Sequence, residues 1–583
     1  MRVFKEPLLY LVPILVLSWF LINPRQMTVN NIEVRYNGNT EYAKFPIFKN
    51  LPADNIFTVS FDLQLLKNGA CKYMVVPDDC IRKITINGKD MPLDGINGLC
   101  DLRGIEIDFC EYLSLGDNKI EFVIYNSWGP GGLTFERVKD LSYVPKIGFA
   151  IVLLTVVFFL LRKLKFGFRA CAAVLLGIAI RLIFYNGTSA ADFGHDFNEH
   201  IKYIQMVAEE KRIPDLNECW VCYHSPVYYA ASAVVKEISN VYDGSIFYNI
   251  LRQMQLLFSF ATLAFGVALL FKTFESKGIA FIASLLWVVW PGFIIASDRI
   301  SNEIPFYFGT MLCIYFASLW WKKPGNSHFI FATLGASLAF AFKSTGFVVL
   351  GAWAIIFVCG IFVHLASSFR ICSLKAALLG IMIVLAFAAV SQHRVIVNVL
   401  NGEKAALIGN ATGLNGGLKV KNEPSSYLYF DVENFLTEPY TSPWDDKQGR
   451  QYFWNYAFKT SLFGEFRVWD SAAGRALSTL ISFFALISIA FSLWGLLHLN
   501  IKEFPIALFL LALFAALMFA RIQYPYSCTN DFRFIVPALL PLSYFSIKGI
   551  HILSIGRLKM AGYFSIVIFV FLSLSLMLGR AIE

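Results

Sequence analysis

The sequence predicts a polytopic α-helical membrane protein of about thirteen spans, with a β-sandwich domain after the first span on the extracytoplasmic side. Three observations predict it. Apolar runs long enough to cross a bilayer recur from residue 8 to residue 578. Only 16% of the 583 residues are charged and 57% are hydrophobic, whereas a soluble chain carries about 25% charged residues. Short alternating segments with turn punctuation are confined to the first long stretch outside the apolar runs. The mean hydropathy of +0.57 excludes a soluble enzyme, a disordered chain and a fibrous one.

Reading with a ruler of roughly 20 apolar residues per span gives candidates near 8–22, 145–161, 170–186, 252–271, 279–297, 303–320, 329–342, 345–365, 376–391, 475–498, 505–520, 534–548 and 562–578. The net charge of +9 is spread through short loops, so it reads as an orientation signal and gives no basic face for nucleic acid. Arg162, Lys163, Lys165 and Arg169, then Lys272 and Lys277, Lys322 and Lys323, Arg370 and Lys375, Lys502, and finally Lys548, Arg557 and Lys559 fall on one side. That alternation requires 226–239, too short to span, to be a re-entrant or interfacial helix.

The implied organisation has five parts. Residues 1–23 form a signal anchor, because no small-x-small cleavage site follows its apolar middle. Residues 24–142 form the sandwich. Residues 143–392 are a transmembrane core with a first outer loop at 187–250. A second outer loop covers 393–472, and 473–583 hold the last spans. This is a multi-pass protein of the plasma (cytoplasmic) membrane, embedded in lipid bilayer, with its acidic and histidine residues gathered on the outer face.

In the sandwich, alternation marks strands at 57–61, 81–86 and 119–125, Asn87-Gly88 is a hairpin turn, and Gly116-Asp117-Asn118 is a second turn. Cys71, Cys80, Cys100 and Cys110 are an even set on the oxidising side. Of the three connectivities, neighbour pairing, Cys71–Cys80 and Cys100–Cys110, is expected. Cys219 and Cys222, a C-x-x-C in the first outer loop, are expected to form a local disulfide. The stretches DDCIRKITINGKDM and DFCEYLSLGDNKIEFVIYN resemble the galactose-binding-like jelly rolls that accompany sugar-active enzymes. The likeness lies in turn and strand grammar, so it implies the fold and leaves a sugar site open.

The chemistry-bearing segment follows the third span. In ADFGHDFNEHIKYIQMVAEEKRIPDLNECWVCYHSPVYY, Asp196 and His200 are spaced i, i+4, as are Glu199 and Tyr203, so each pair shares a helix face. His200 and His224 lie too far apart, with no third ligand, for a zinc signature. Hydrogen bonding to phosphate or carboxylate suits them better, and whether a divalent cation assists is left open. Asp445 and Asp446 sit in an aromatic-rich part of the second outer loop, which reads as an interface belt or as a wall seating a substrate.

D-x-x-x-H-x-x-Y-I, then R-I-P, then H-x-P-x-Y-Y resembles the first outer loop of the GT-C glycosyltransferases, integral-membrane enzymes that include the protein O-mannosyltransferases and aminoarabinose transferases. The matching residues are Asp196, His200, Tyr203, Ile204, Arg212, Ile213, Pro214, His224, Pro226, Tyr228 and Tyr229. Phe197 stands where an acidic residue is common, and Ser225 replaces a usual proline, which keeps Asp192 as a competing carboxylate. SDRISNEIPF resembles the second acidic turn, with Asn302 and Glu303 and, less closely, Asp298. LAFAFKSTGFVVL supplies Lys343, and NDFRFIVPALLPL supplies Arg533.

The resemblance implies a glycosyltransferase that moves a sugar from an undecaprenyl- or dolichyl-phosphate donor to an extracytoplasmic acceptor with inversion. Asp196 or Asp192 would be the general base, with His200 beside it. Lys343, Arg533 and His224 would hold the donor phosphate, and Glu199, Tyr203, Tyr228, Asn302, Glu303 and Asp445 would contact substrate. An oligosaccharide ligase or another polyprenyl-phosphate enzyme is the alternative within the class. A transporter or flippase is the alternative outside it, and the absence of an internal repeat counts against that.

Overall fold

The fold is that of a computed structural model, which describes residues 27–43, 45, 47–49, 54–65, 71–94, 96, 99–100, 104–127, 131–137, 143–216, 218–239, 244–365, 372–401 and 416–582. The first expected span, 8–22, lies outside them.

Among the described residues ten strands form the N-terminal domain: β1 (Met27–Tyr36), β2 (Asn39–Tyr42), β3 (Ile47–Lys49), β4 (Asn55–Leu65), β5 (Lys72–Pro77), β6 (Cys80–Ile86), β7 (Lys89–Met91), β8 (Ile105–Asp108), β9 (Gly116–Asn126) and β10 (Gly131–Arg137). They pair as two antiparallel sheets, β2-β1-β4-β9-β6-β7 and β3-β10-β5-β8. Side chains alternate across each strand, so Phe57, Phe61 and Phe122 of one sheet meet Tyr73 and Phe135 of the other in a buried aromatic core. The Tyr73 and Phe135 rings stack at 4.6 Å. Asn87 and Gly88 take φ of +52° and +79° between β6 and β7, the two positive angles a tight two-residue hairpin needs. Residues 116–118, expected as a turn, instead begin β9. The buried Asn118 amide donates to the carbonyls of Ser114 (2.7 Å) and Gly116 (3.1 Å), so the chain reverses just before that strand.

The disulfides correct the expected pairing. Cys71 bonds Cys110 and Cys80 bonds Cys100. The reason is strand geometry: six-residue β5 separates Cys71 from Cys80 by about 20 Å, far beyond the roughly 7 Å Cα limit of a disulfide. Antiparallel β8 returns Cys110 to the Cys71 end, where the Phe109 N–H donates to the Cys71 carbonyl at 2.8 Å. Cys219 and Cys222 are joined within their own loop.

The rest of the chain is a multi-pass helical membrane protein. Among the described residues nine helices are long and apolar enough to cross a bilayer, and Lys277–Val288 with Pro291–Asp298, bent by 57°, makes a tenth if it is one span. The expected 329–342 span is the short helix Asn326–Phe342, and 145–161 lies within Tyr143–Lys163. The segment 226–239 forms a 13-residue helix, Val227–Ser239. Arg181 ties down the break in the bent pair by donating to the Val288 carbonyl at 2.8 Å. A close helix pair then positions the site. A Cβ on Gly309 would stand 2.6 Å from Ala339 N, and one on Gly335 would stand 2.5 Å from Cys313 N, so only glycine lets Glu303–Lys322 and Asn326–Phe342 approach this closely. The start of one helix therefore meets the end of the other.

Candidate active site

That meeting point is polar. Lys343, just past the end of its helix, donates to Glu303 Oε1 at 2.8 Å. Arg533 Nε lies 3.6 Å from the same oxygen and 3.3 Å from Asp531 Oδ2. Asp531 fixes the turn by accepting the Arg533 N–H at 2.9 Å. The Lys343 ammonium and the Arg533 guanidinium both sit against the Phe534 ring, at 4.5 and 5.0 Å. Asp196 immediately precedes the helix Phe197–Glu210 in a left-handed conformation (φ +51°) and makes no side-chain cap. A non-glycine residue held there carries strain of about 1–3 kcal/mol, as positions at functional sites often do. Its carboxylate shares a pocket of about 20 Å³ with His200, His224, Arg299, Glu303, Lys343 and Arg533.

Burial sets the protonation states. It raises the Asp196 carboxyl above its ordinary value against the pull of Arg533 and Lys343, and pushes the His200 imidazole down to about 3. His195 and His224 are depressed in the same way, with the surrounding cations adding to the effect. These histidines are neutral at physiological pH. His200 is fixed by a 2.8 Å contact from Nδ1 to the Tyr229 hydroxyl, and its ring lies parallel to that of His224 at 6.1 Å.

The pocket is the inner end of a cavity of about 2230 Å³. One wall is apolar: Phe347, Gly351, Ala352 and Ile355 on the helix Gly346–Leu365 and Ala512, Ala516, Phe519 and Ala520 on Phe504–Gln523 line it. The opposite wall is polar and carries Asp78 from the sandwich, Glu199, Trp220, Trp444 and Asp445. The sandwich reaches this wall because Thr134 of β10 donates to Asn198 Oδ1 at 3.2 Å. Asp78 is pushed up to about 7 by burial and by the carboxylates of Glu199 and Asp79.

The sequence-derived candidates divide clearly. Asp196, His200, His224, Glu303, Lys343 and Arg533 come together, and Glu199 and Asp445 line the outer cavity. Asp192 is instead a structural turn carboxylate: it accepts from Ser189 N at 3.0 Å and from Arg580 at 3.3 Å, and lines neither space. Tyr203 stacks on Tyr229 at 3.8 Å and is held by Arg394 at 3.0 Å. Tyr228 accepts from Gln255 at 2.9 Å. Asn302 donates to the Phe342 carbonyl at 2.9 Å, and Asp298 accepts from Arg252 at 2.9 Å. These four are framework. The aromatic-rich loop is not an interface belt throughout, since Phe453, Tyr456 and Phe463 are fully buried, while Tyr429 and Trp444 stand well exposed.

Sequence reading passed over His195, Arg299 and Glu465. Glu465 follows Gly464, whose φ of +64° turns the chain inward at the end of a helix. The G-E-F stretch was the available signal.

No protein-family model matches the sequence, and no curated protein matches it. Among solved structures, the chain is similar to the archaeal oligosaccharyltransferase AglB from Archaeoglobus fulgidus in complex with an inhibitory peptide and a dolichol-phosphate (TM-score 0.41, 12% identity, 71% of this chain and 56% of that one). It is also similar to the arabinosyltransferase EmbB from Mycobacterium smegmatis (TM-score 0.37, 8% identity, 92% of this chain and 53% of that one). The chain thus spans about half the length of the solved chains it matches. Likeness at this level assigns no residue of the site.

Proposed function

We propose that this protein is a glycosyltransferase of the GT-C type that transfers a sugar from a polyprenyl-phosphate donor to an acceptor outside the membrane. One observation carries the reading: an apolar groove between two membrane helices runs into a buried pocket holding Lys343, Arg533 and Asp196. A polyprenyl tail suits the groove, whose alanines and glycine leave room between the helices. Its phosphate suits the cations, since guanidinium and ammonium groups bind phosphate strongly when desolvated.

In this mechanism the acceptor hydroxyl oxygen attacks the anomeric carbon while its proton passes to Asp196. The bond from that carbon to the phosphate oxygen breaks, and the electron pair leaves on phosphate, held by Lys343 and Arg533. A single displacement inverts the anomeric centre. Neutral His200 and His224 supply hydrogen bonds without adding charge. The acceptor would enter along the polar wall.

The test is release and transfer of sugar from a radiolabelled panel of polyprenyl-phosphate sugars by purified protein in proteoliposomes. Transfer that disappears in Arg533→Ala supports the reading. A protein that turns over none of the panel but moves a solute across the bilayer is a transporter, and the proposal fails.

A further inference from the structure

The polar wall of the outer cavity is assembled from three separate parts of the chain. The sandwich supplies Asp78 and Cys100, the first outer loop supplies Glu199 and Trp220, and the second outer loop supplies Trp444 and Asp445. Each part is held firmly. Asp78 sits in the turn between β5 and β6, where its N–H donates to the Gly132 carbonyl at 3.0 Å and the Cys80–Cys100 disulfide ties down the neighbouring chain. The Trp220 N–H donates to Glu199 at 2.6 Å, inside the Cys219–Cys222 disulfide. Beside Trp444, the Pro443 carbonyl accepts from Arg450 at 2.8 Å and from Ser527 at 2.6 Å.

Two features of this wall serve no purpose in the fold. Among the described residues only Trp220, Trp444 and Trp494 are tryptophans more than a third exposed, at 38%, 56% and 43%. Trp494 lies about 33 Å along the helix Ala472–Leu497 from its start, and its ring rests against His498 at 4.4 Å. The rings of Trp220 and Trp444 have no aromatic partner among the described residues, and their indole N–H groups have no acceptor there. The second feature is Asp78, whose carboxylate accepts no hydrogen bond among the described residues while burial and Glu199 raise it. A carboxyl held that way costs the folded protein stability at neutral pH, as groups kept for a function at a cavity wall do.

We propose that the acceptor is a glycan, with Trp220 and Trp444 stacking on its sugar rings and Asp78, Glu199 and Asp445 accepting from its hydroxyls, so that the sandwich takes part in choosing the acceptor. A sugar ring presents apolar C–H faces that suit an indole, and hydroxyls that donate to carboxylates and accept from the indole N–H. A basic peptide is the other ligand for indoles beside carboxylates. Charge favours the neutral ligand. Lys202 acts on both Asp78 and Glu199, and Arg467, paired with Asp470 at 3.3 Å, lines the same cavity, so much of the negative charge is already answered. The volume of about 2230 Å³ exceeds the roughly 300–1,000 Å³ of a small-molecule site, which leaves room for several sugar residues beside the donor. Calling the glycan an acceptor rests on the transferase reading; its binding does not.

The experiment measures binding to full-length protein in lipid nanodiscs by saturation-transfer NMR and calorimetry, with no donor present. The probes are short linear oligosaccharides of mannose, galactose, arabinose, glucose and N-acetylglucosamine, with a lysine-rich peptide and a neutral serine-rich peptide beside them. At least one oligosaccharide is expected to bind wild type. Trp220→Ala and Trp444→Ala should each weaken it about 10-fold, and Asp78→Ala should weaken it about 10-fold or more. Trp220→Phe should restore most of the loss, and Trp494→Ala should bind as wild type does. If Asp78→Ala fails to fold, the tryptophan variants still decide. Wild type that binds no oligosaccharide, binding that ignores both tryptophan variants, or binding of the lysine-rich peptide alone overturns the proposal. Sugar transfer to a non-glycan acceptor without oligosaccharide binding sinks the glycan and leaves the transferase standing. Oligosaccharide binding without transfer from any polyprenyl-phosphate sugar does the reverse.

Discussion

The Lys343–Glu303–Arg533 cluster yields an asymmetric prediction. Replacing Lys343 with methionine removes a cation 2.8 Å from Glu303 Oε1, but Arg533 remains 3.6 Å from the same atom. At an effective dielectric constant of about 20 these separations correspond to roughly 6 and 5 kcal/mol of attraction, so Arg533 can still neutralise the carboxylate. Lys343→Met should therefore cost only about 1–2 kcal/mol of stability, below the 3–5 kcal/mol typical of a broken buried pair. Glu303→Gln removes the carboxylate that Lys343 and Arg533 share and leaves the two buried cations facing each other, and should cost the full amount, about 3–5 kcal/mol. Activity should invert the order of importance. A lost charge-assisted bond to phosphate, about 1.5–3 kcal/mol, lowers kcat/KM of Lys343→Met about 10- to 150-fold although that protein is the better folded of the two. Thermal unfolding in detergent and turnover in proteoliposomes measure the two quantities. Glu303→Gln melting no lower than Lys343→Met would refute the electrostatic reasoning, and unchanged turnover in Lys343→Met would refute its phosphate role.

Three further outcomes follow. Asp78 has a folded pKa raised from 3.8 to about 7, so it binds its proton more tightly when folded, and stability is lost as pH rises through that window. Asp78→Asn should leave stability unchanged near pH 3.5 and raise it at pH 8, by an upper limit of about 4 kcal/mol; equal shifts in melting temperature at both pH values contradict this. Because burial raises Asp196 and only its ionised form accepts a proton, the acid limb of kcat/KM should lie above about pH 4, and a profile flat down to that value removes Asp196 as the base. Ala516→Trp obstructs the apolar groove, and overpacking of about 1–3 kcal/mol should raise KM roughly 5- to 150-fold for long-chain donors while sparing short-chain analogues; equal effects on both would place the lipid tail elsewhere.

Much of this architecture was legible because its causes are local. Span length, the alternating 57–61, 81–86 and 119–125 stretches and the Asn87-Gly88 turn are set by neighbouring residues, and they became helices, β4, β6, β9 and a hairpin. The cysteine connectivity was not legible, because it depends on which strand pairs with β5. Spacing alone also misplaced Asp196: the residue lies one position outside its helix, and its left-handed backbone turns it toward the pocket. Asp192 and Asp196 are equivalent as sequence, and only the distant Arg580 and the local turn at Ser189 separate them. His195 lies hundreds of residues from Glu465 and Asp531 in the chain, so no motif announced the three together.

The most direct test of the central claim compares Asp196→Asn with Asp192→Asn in the polyprenyl-phosphate sugar transfer assay, with both proteins confirmed folded by thermal melt. The account predicts that Asp196→Asn loses about 10²–10⁴-fold in turnover, the usual contribution of a general base, while Asp192→Asn keeps most of its activity. Full turnover in Asp196→Asn, or loss confined to Asp192→Asn, would contradict it.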